Sequence, residues 1–271
     1  YLYRKLLADL DLASIIYIIP DDILHYLPFE LLVPDNQLLL ETNAISYASS
    51  FSFLANNLAK SDYKKDIALF APSYKQFAPS ENQLAVRGDP YYLEGTLKEV
   101  NSISQLFSNS DLFINDDASK AAFTGLYNNY SILHLSMHSF INDQDSELSS
   151  LVFSDNDKDY ELYISELYGL NLNADMAVLS ACNTGVGEFK TGKGIVSINT
   201  AFTAAGVPSV LSSLWSAPDE ATEKIMTSFY KHLKKGETKS EALKNAKQDY
   251  LKNIDDPNLK HPYYWAGFVL T

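Results

Sequence analysis

The stretch SILHLSMHSF, residues 131–140, is an apolar run that closes on a histidine, His138. Some forty residues on, MAVLSACNTG at 176–185 has the same shape and leads to Cys182, the only cysteine of the chain. SVLSSLW at 209–215 is a third run of the kind. Near-continuous apolar runs suit strands in the middle of a parallel sheet covered on both faces.

Strand-like and helix-like segments alternate around them. ASIIYII (13–19), AISYAS (44–49), DIALFA (66–71) and DLFIND (111–116) read as strands, and WAGFVLT as a last one. HYLPFELL (25–32) reads as a short helix entered through Pro28. LKEVNSISQLF (97–107) carries Leu97, Val100, Ile103 and Leu106 or Phe107 on one helical face. GIVSINTAFTAAG (194–206) and DEATEKIMTSFYKHLKKG (219–236) are expected helices, the second acidic at its start, basic at its end and closed by Gly236. Thr238 with Glu241 forms a capping-box pattern at the start of 238–253. The stretch from Pro72 to about Tyr92 has three prolines and little periodicity, and reads as a surface loop. This order predicts an α/β fold, a three-layer αβα sandwich with a mainly parallel central sheet. Sites in such sheets form beyond the carboxyl ends of the strands. His138 and Cys182 both fall there, and they can meet if their strands are neighbours.

A thiol becomes a strong nucleophile when an imidazole takes its proton, and the same imidazole can then protonate a leaving amine. The backbone N–H groups of Ser139 and Cys182 are candidates for an oxyanion hole. The plain alternative stays open: a lone cysteine is often inert and buried, and a strand-end histidine often bonds only to backbone. His134 and His138 are spaced H-x-x-x-H, but four residues of strand span ~13 Å, too far for one metal. No metal site and no cofactor are expected. The segment 187–194 matches G-x-x-x-x-G-K but ends in Gly194, where a phosphate loop needs Ser or Thr for magnesium. It reads as a glycine-rich connector with exposed lysines.

The net charge of −13 disfavours nucleic acid and anionic membranes as partners. One cysteine cannot form an internal disulfide, so an oxidising compartment is not implied. No apolar run reaches the ~20 residues of a membrane span. The beginning, YLYRKLLADLDLASIIYII, has acids within it, no initiator Met and no signal-peptide cleavage site. It is read as the start of a fragment from a longer cytoplasmic protein.

The blocks IIYIIPDDILHYLPFELL, ILHLSMHS, MAVLSACNTG, GKGIVSINTAFTAAGVPSVLSSLWSAPDEAT, FYKHLKKG and HPYYWAGFVLT resemble, in order, the motifs of the CHAT family. That family belongs to the caspase-like cysteine peptidases of clan CD and is related to separases. The resemblance covers nearly the whole chain. It implies a caspase–haemoglobinase fold over 1–271, with 1–92 as its N-terminal portion and 93–271 carrying the catalytic core. It also implies a Cys–His dyad, with the histidine at His138, the nucleophile at Cys182 and a protein as substrate. Glycine usually follows the family's histidine; here it is Ser139, for which a positive φ would be strained. Some members are inactive, so a scaffold acting through protein binding is the second reading. The family's fusion to tetratricopeptide repeats implies an upstream regulatory region or activator. Its use in bacterial defence implies a peptidase switched on to cut one target.

LWSAPDEAT resembles the LW-x-x-x-D stretch of separases, where acids hold a basic side chain before the scissile bond. Trp215 and Asp219 are therefore pocket candidates; Asp219 also fits a helix N-cap, and Trp215 a core position. Metacaspase-like enzymes place an acid two residues before the cysteine. Here that position is Ser180, an uncharged pocket candidate. The acids Asp143, Asp145 and Glu147 after His138 read as solvated surface or as cleft lining. The connector 184–193 stands where caspases rearrange a loop on activation, so its ordering is expected to gate the site.

Overall fold

The computed structural model describes residues 14–33, 36–51, 65–74, 94–142, 144–155, 158–180, 188–190 and 194–271. In chain order the first elements are β1 (Ile15–Ile18), a helical turn α1 (Leu39–Thr42), β2 (Ala44–Tyr47) and β3 (Lys65–Pro72). Next come α2 (Glu94–Ser104), β4 (Ser110–Asn115), α3 (Lys120–Leu126), β5 (Tyr130–Leu135), β6 (His138–Phe140), β7 (Ser150–Val152), β8 (Glu161–Tyr163) and α4 (Ile164–Leu167). The last are β9 (Met176–Leu179), β10 (Glu188–Lys190), β11 (Gly194–Val196), α5 (Ile198–Ala204), β12 (Val210–Ser213), α6 (Asp219–Lys234), α7 (Lys239–Asn253) and β13 (Phe268–Leu270).

Six strands form the central sheet in the order β13-β12-β9-β5-β3-β4. All neighbours are parallel except the edge pair β12–β13. Alternate residues of each strand face opposite layers. In β3, Ala68 and Phe70 join a core with Phe123 of α3 and Phe202 of α5. Ile67 and Leu69 join a second core, with Val100 and Ile103 of α2, Phe229 of α6 and Ala246 of α7. β9 divides likewise, Ala177 and Leu179 to the first core, Met176 and Val178 to the second. The result is the expected three-layer sandwich. Each fully buried Leu or Phe contributes roughly 1.5–3 kcal/mol.

Local chemistry sets the ends of most helices. Thr238 and Glu241 form the expected capping box on α7, and Gly236 follows α6 with φ 89°. Three expectations are corrected. The helix expected from Gly194 begins at Ile198, capped by the Ser197 side chain; Gly194–Val196 instead pairs antiparallel with Glu188–Lys190. Ile195 and Val196 are β-branched and favour a strand, and Ser197 offers a cap. A second strand thus intervenes where a phosphate loop would run straight into a helix. The segment 25–32 is not one helix but part of two 3₁₀ turns, Asp22–Tyr26 and Phe29–Leu31. Leu27 is extended there (φ −97°, ψ 115°), as a residue before proline tends to be. Asp219 is not the N-cap of α6: Pro218 holds that position and Asp219 is the first helical residue. Its charge still favours the helix start.

Beside the central sheet, β1 and β2 form a parallel pair. The Ser46 hydroxyl donates to the Leu270 carbonyl of β13 at 3.3 Å. A buried Lys247–Glu30 ion pair of 2.8 Å ties α7 to the turn after β1. Most of the expected loop at 72–92 lies outside the described residues. Among the described residues, no helix is long and apolar enough to cross a membrane.

Candidate active site

β5 and β9 are neighbours in the middle of the sheet, as the sequence required for the two motifs to meet. Their last register pair is Leu135 with Leu179. His138 stands three residues past Leu135, and Cys182 three past Leu179. Cys182 and 184–187 lie outside the described residues, as do 191–193 and Asp143.

His138 opens β6, opposite Val152 of β7. It is half-buried and lies against Tyr74, with ring centroids 4.8 Å apart and planes inclined by 33°. The Tyr74 hydroxyl accepts from the His138 backbone N–H at 2.9 Å and donates to the Val152 carbonyl at 2.8 Å. Tyr74 is itself 1% exposed, so the imidazole rests on a fixed wall. Ser139 lies in β6 opposite Leu151. It has no positive φ, since among the described non-glycine residues only Asn36 and Asn115 do. The strain that serine would meet in the glycine position does not arise.

Beneath these strand ends is a buried polar network. Glu99, on the inner face of α2, is 2% exposed. Its Oε2 accepts from the Ser136 hydroxyl at 3.0 Å and from the Ser180 hydroxyl at 2.9 Å. Its Oε1 lies 3.1 Å from His134 Nε2, off the line of a directional hydrogen bond. The contact is electrostatic, since the approach is close and both atoms are buried. His134 Nδ1 is 3.0 Å from the Tyr230 hydroxyl. Burial and the Glu99 charge push the Tyr230 pKa well up, so Tyr230 stays a phenol and can donate to Nδ1. That leaves the ring proton on Nε2, beside Glu99 but not in a directional hydrogen bond with it. His134 is thus a core residue, with Nδ1 bonded to Tyr230 and Nε2 in close electrostatic contact with Glu99. Ser180 is 7% exposed, with its hydroxyl turned to Glu99.

Asp219 comes to the same end of the sheet through α2. A Cβ added at Gly95 would lie 2.5 Å from the Asp219 Cβ. Gly95 and Glu99 are one helical turn apart, ~6 Å. Trp215 packs at the edge of two core clusters. Its indole N–H donates to the Tyr263 carbonyl at 2.7 Å, and Gly267 leaves room for its ring, with a virtual Cβ 2.8 Å from Cε2. Trp215 is half-buried, its ring fixed at the edge of these clusters.

The sequence reading missed Tyr74 and Glu99. Tyr74 follows the carboxyl end of β3, the strand beside β5, and so obeys the same strand-end rule as His138. Glu99 carried a weaker signal: Thr96, Glu99, Val100 and Ile103 recur at helical spacing and are all buried, so a carboxylate sits in an otherwise inward stripe.

Solved structures with this fold include the Arg-specific cysteine proteinase gingipain R and the separase–securin complex of Saccharomyces cerevisiae. The first matches with TM-score 0.57 and 10% identity, over 89% of this chain and 56% of that one. The second matches with TM-score 0.59 and 14% identity, over 94% of this chain and 15% of that one. Both have the caspase-like fold of clan CD, and this chain shares it. The mouse protein "Tetratricopeptide repeat protein 28" is 34% identical over 110 residues, covering 40% of this chain. The match spans only 4% of that protein's length. The family model described as "CHAT domain" matches residues 1–271. The chain therefore belongs to the CHAT domain family.

Proposed function

We propose that this domain is a cysteine endopeptidase in which Cys182 is the nucleophile and His138 the base. One observation carries the reading: the motifs leave adjacent parallel strands at the register pair Leu135–Leu179, each three residues before its dyad member. His138 takes the thiol proton as sulfur attacks the scissile carbonyl. The oxyanion is held by the N–H groups of Ser139 and Cys182. His138 then protonates the departing amine, and water hydrolyses the thioester with His138 again as base.

Asp219, carried to this end of the sheet against Gly95, is the proposed acid for a basic side chain before the cut. Trp215 would support the pocket from the core side, and Ser180 its floor. An upstream repeat region or activator would order the connector 184–193 and so control access. Cutting of one dedicated protein target, as in a bacterial defence system, is the biology that fits such control. Domain limits follow the same reading, with 1–92 as the N-terminal portion and 93–271 as the catalytic core.

The test is cleavage of a proteome-derived peptide library by the longest natural form of the protein, beside its Cys182→Ala and His138→Ala variants. Cutting by the wild type and by neither variant is expected, with a basic residue before the cut. Absence of cutting in every form, with and without activator, would leave a scaffold that acts by binding.

A further inference from the structure

Glu99 is a buried carboxylate that the proposed chemistry does not use. An ion withdrawn from water is costly unless hydrogen bonds replace its hydration. Its neighbours on the helix, Val100 and Ile103, show that apolar residues fill this layer well. A charge here therefore needs a reason of its own.

The reason lies in where its partners stand. β5 ends at Leu135 and β9 at Leu179, so the strand pairing stops at that register pair. The next residue on each strand is a serine, Ser136 and Ser180. Both hydroxyls converge on the same Glu99 oxygen, at 3.0 and 2.9 Å. Each serine is two residues before its dyad member, His138 or Cys182. Below, the other Glu99 oxygen is met by His134 at 3.1 Å, and His134 by Tyr230, so the carboxylate is held from its far side. One charged acceptor joins the two strand ends beyond their last register pair.

We propose that Glu99 is a positioning residue, which sets the spacing of the His138 and Cys182 segments by gripping Ser136 and Ser180 together. The inference rests on the Cys–His reading above. Charge-assisted hydrogen bonds to one oxygen are short and directional, and small displacements of a nucleophile–base pair are costly to rate. Glutamine at 99 would keep an acceptor oxygen without the charge.

The experiment follows alkylation of Cys182 by iodoacetamide, mapped by peptide mass, from about pH 5.5 to 9.5. It compares the full-length wild type with His138→Ala, Glu99→Ala, Glu99→Gln and the double variant Ser136→Ala/Ser180→Ala, with folding checked by thermal melting. His138→Ala is expected to change the wild-type pH profile. Glu99→Ala and the double serine variant should follow it, with a roughly tenfold slower reaction near neutral pH, and Glu99→Gln should recover part of the rate. If Glu99→Ala does not fold, the serine variants decide. The inference is overturned if His138→Ala alters the profile while the folded serine variants keep that of the wild type. A His138→Ala profile identical to wild type overturns the dyad itself, and this inference with it.

Discussion

Tyr74 holds His138 at two points, by a ring contact of 4.8 Å and by accepting the His138 amide at 2.9 Å. The same hydroxyl donates to Val152, so it also joins β6 to β7. Tyr74→Phe keeps the ring and removes the bridge. The expected loss of stability is about 1–3 kcal/mol, the cost of buried groups deprived of a partner. On the proposed mechanism cleavage should fall in kcat more than in KM, since His138 shifts while the proposed pocket does not. Urea unfolding and steady-state kinetics measure the two effects.

Gly95 faces Asp219 so closely that Gly95→Ala must displace it, since the new Cβ would lie 2.5 Å from the Asp219 Cβ. Alanine gains ~1 kcal/mol of helix propensity over glycine, which offsets part of the clash. The expected result is a folded protein whose preference for a basic residue before the cut falls roughly tenfold. Asp219→Asn should lower the same preference. Paired peptides with Arg or Leu at that position provide the measurement, and an unchanged ratio in both variants would remove Asp219 from the pocket.

Lys247 and Glu30 form an ion pair with side chains 1% and 4% exposed. Tyr47 donates to the other Glu30 oxygen at 3.1 Å. Lys247→Met leaves a buried carboxylate uncompensated and should cost about 3–5 kcal/mol. Lys247→Met with Glu30→Gln should cost less than the two single changes added. A double-mutant cycle by urea denaturation tests this, and additivity would show that the Lys247–Glu30 pair contributes no coupling energy.

Burial comes first among the causes that hold the Tyr47 and Tyr230 pKa values well above the ordinary tyrosine range, with Glu30 and Glu99 respectively adding to it. The sign follows by linkage. Below about pH 10 both states keep these phenols protonated, so the stabilisation is fully present. Above it the unfolded chain releases protons that the folded one retains, and stability falls as pH rises towards the folded values. Thermal melting should therefore drop progressively above about pH 10. Absorbance at the phenolate band should show these two tyrosines titrating only with unfolding, and Tyr47→Phe should flatten the loss.

The strongest readings came from patterns with a local cause. The apolar runs at 131–136 and 175–181 became β5 and β9 because such runs can be satisfied only between two covering layers. The capping box at Thr238 and the glycine after α6 act within a few residues, so they too were legible. The strand at Gly194–Val196 was hidden because Ile195 and Val196 fit the period of helix and strand alike, and only pairing with Glu188–Lys190 separates the two.

The alternation of elements, the strand-end places of His138 and Cys182 and the family blocks can all be read along the chain. These depend on residue type and spacing along the chain. The adjacency of β5 and β9, the contact of Tyr74 with His138 and the joining of Ser136 to Ser180 by Glu99 emerge from the folded arrangement. Ser136 and Glu99 are 37 residues apart, and Ser180 and Glu99 are 81 apart. Nothing in local propensity links such residues, because their meeting is set by strand order and by the face that α2 turns to the sheet.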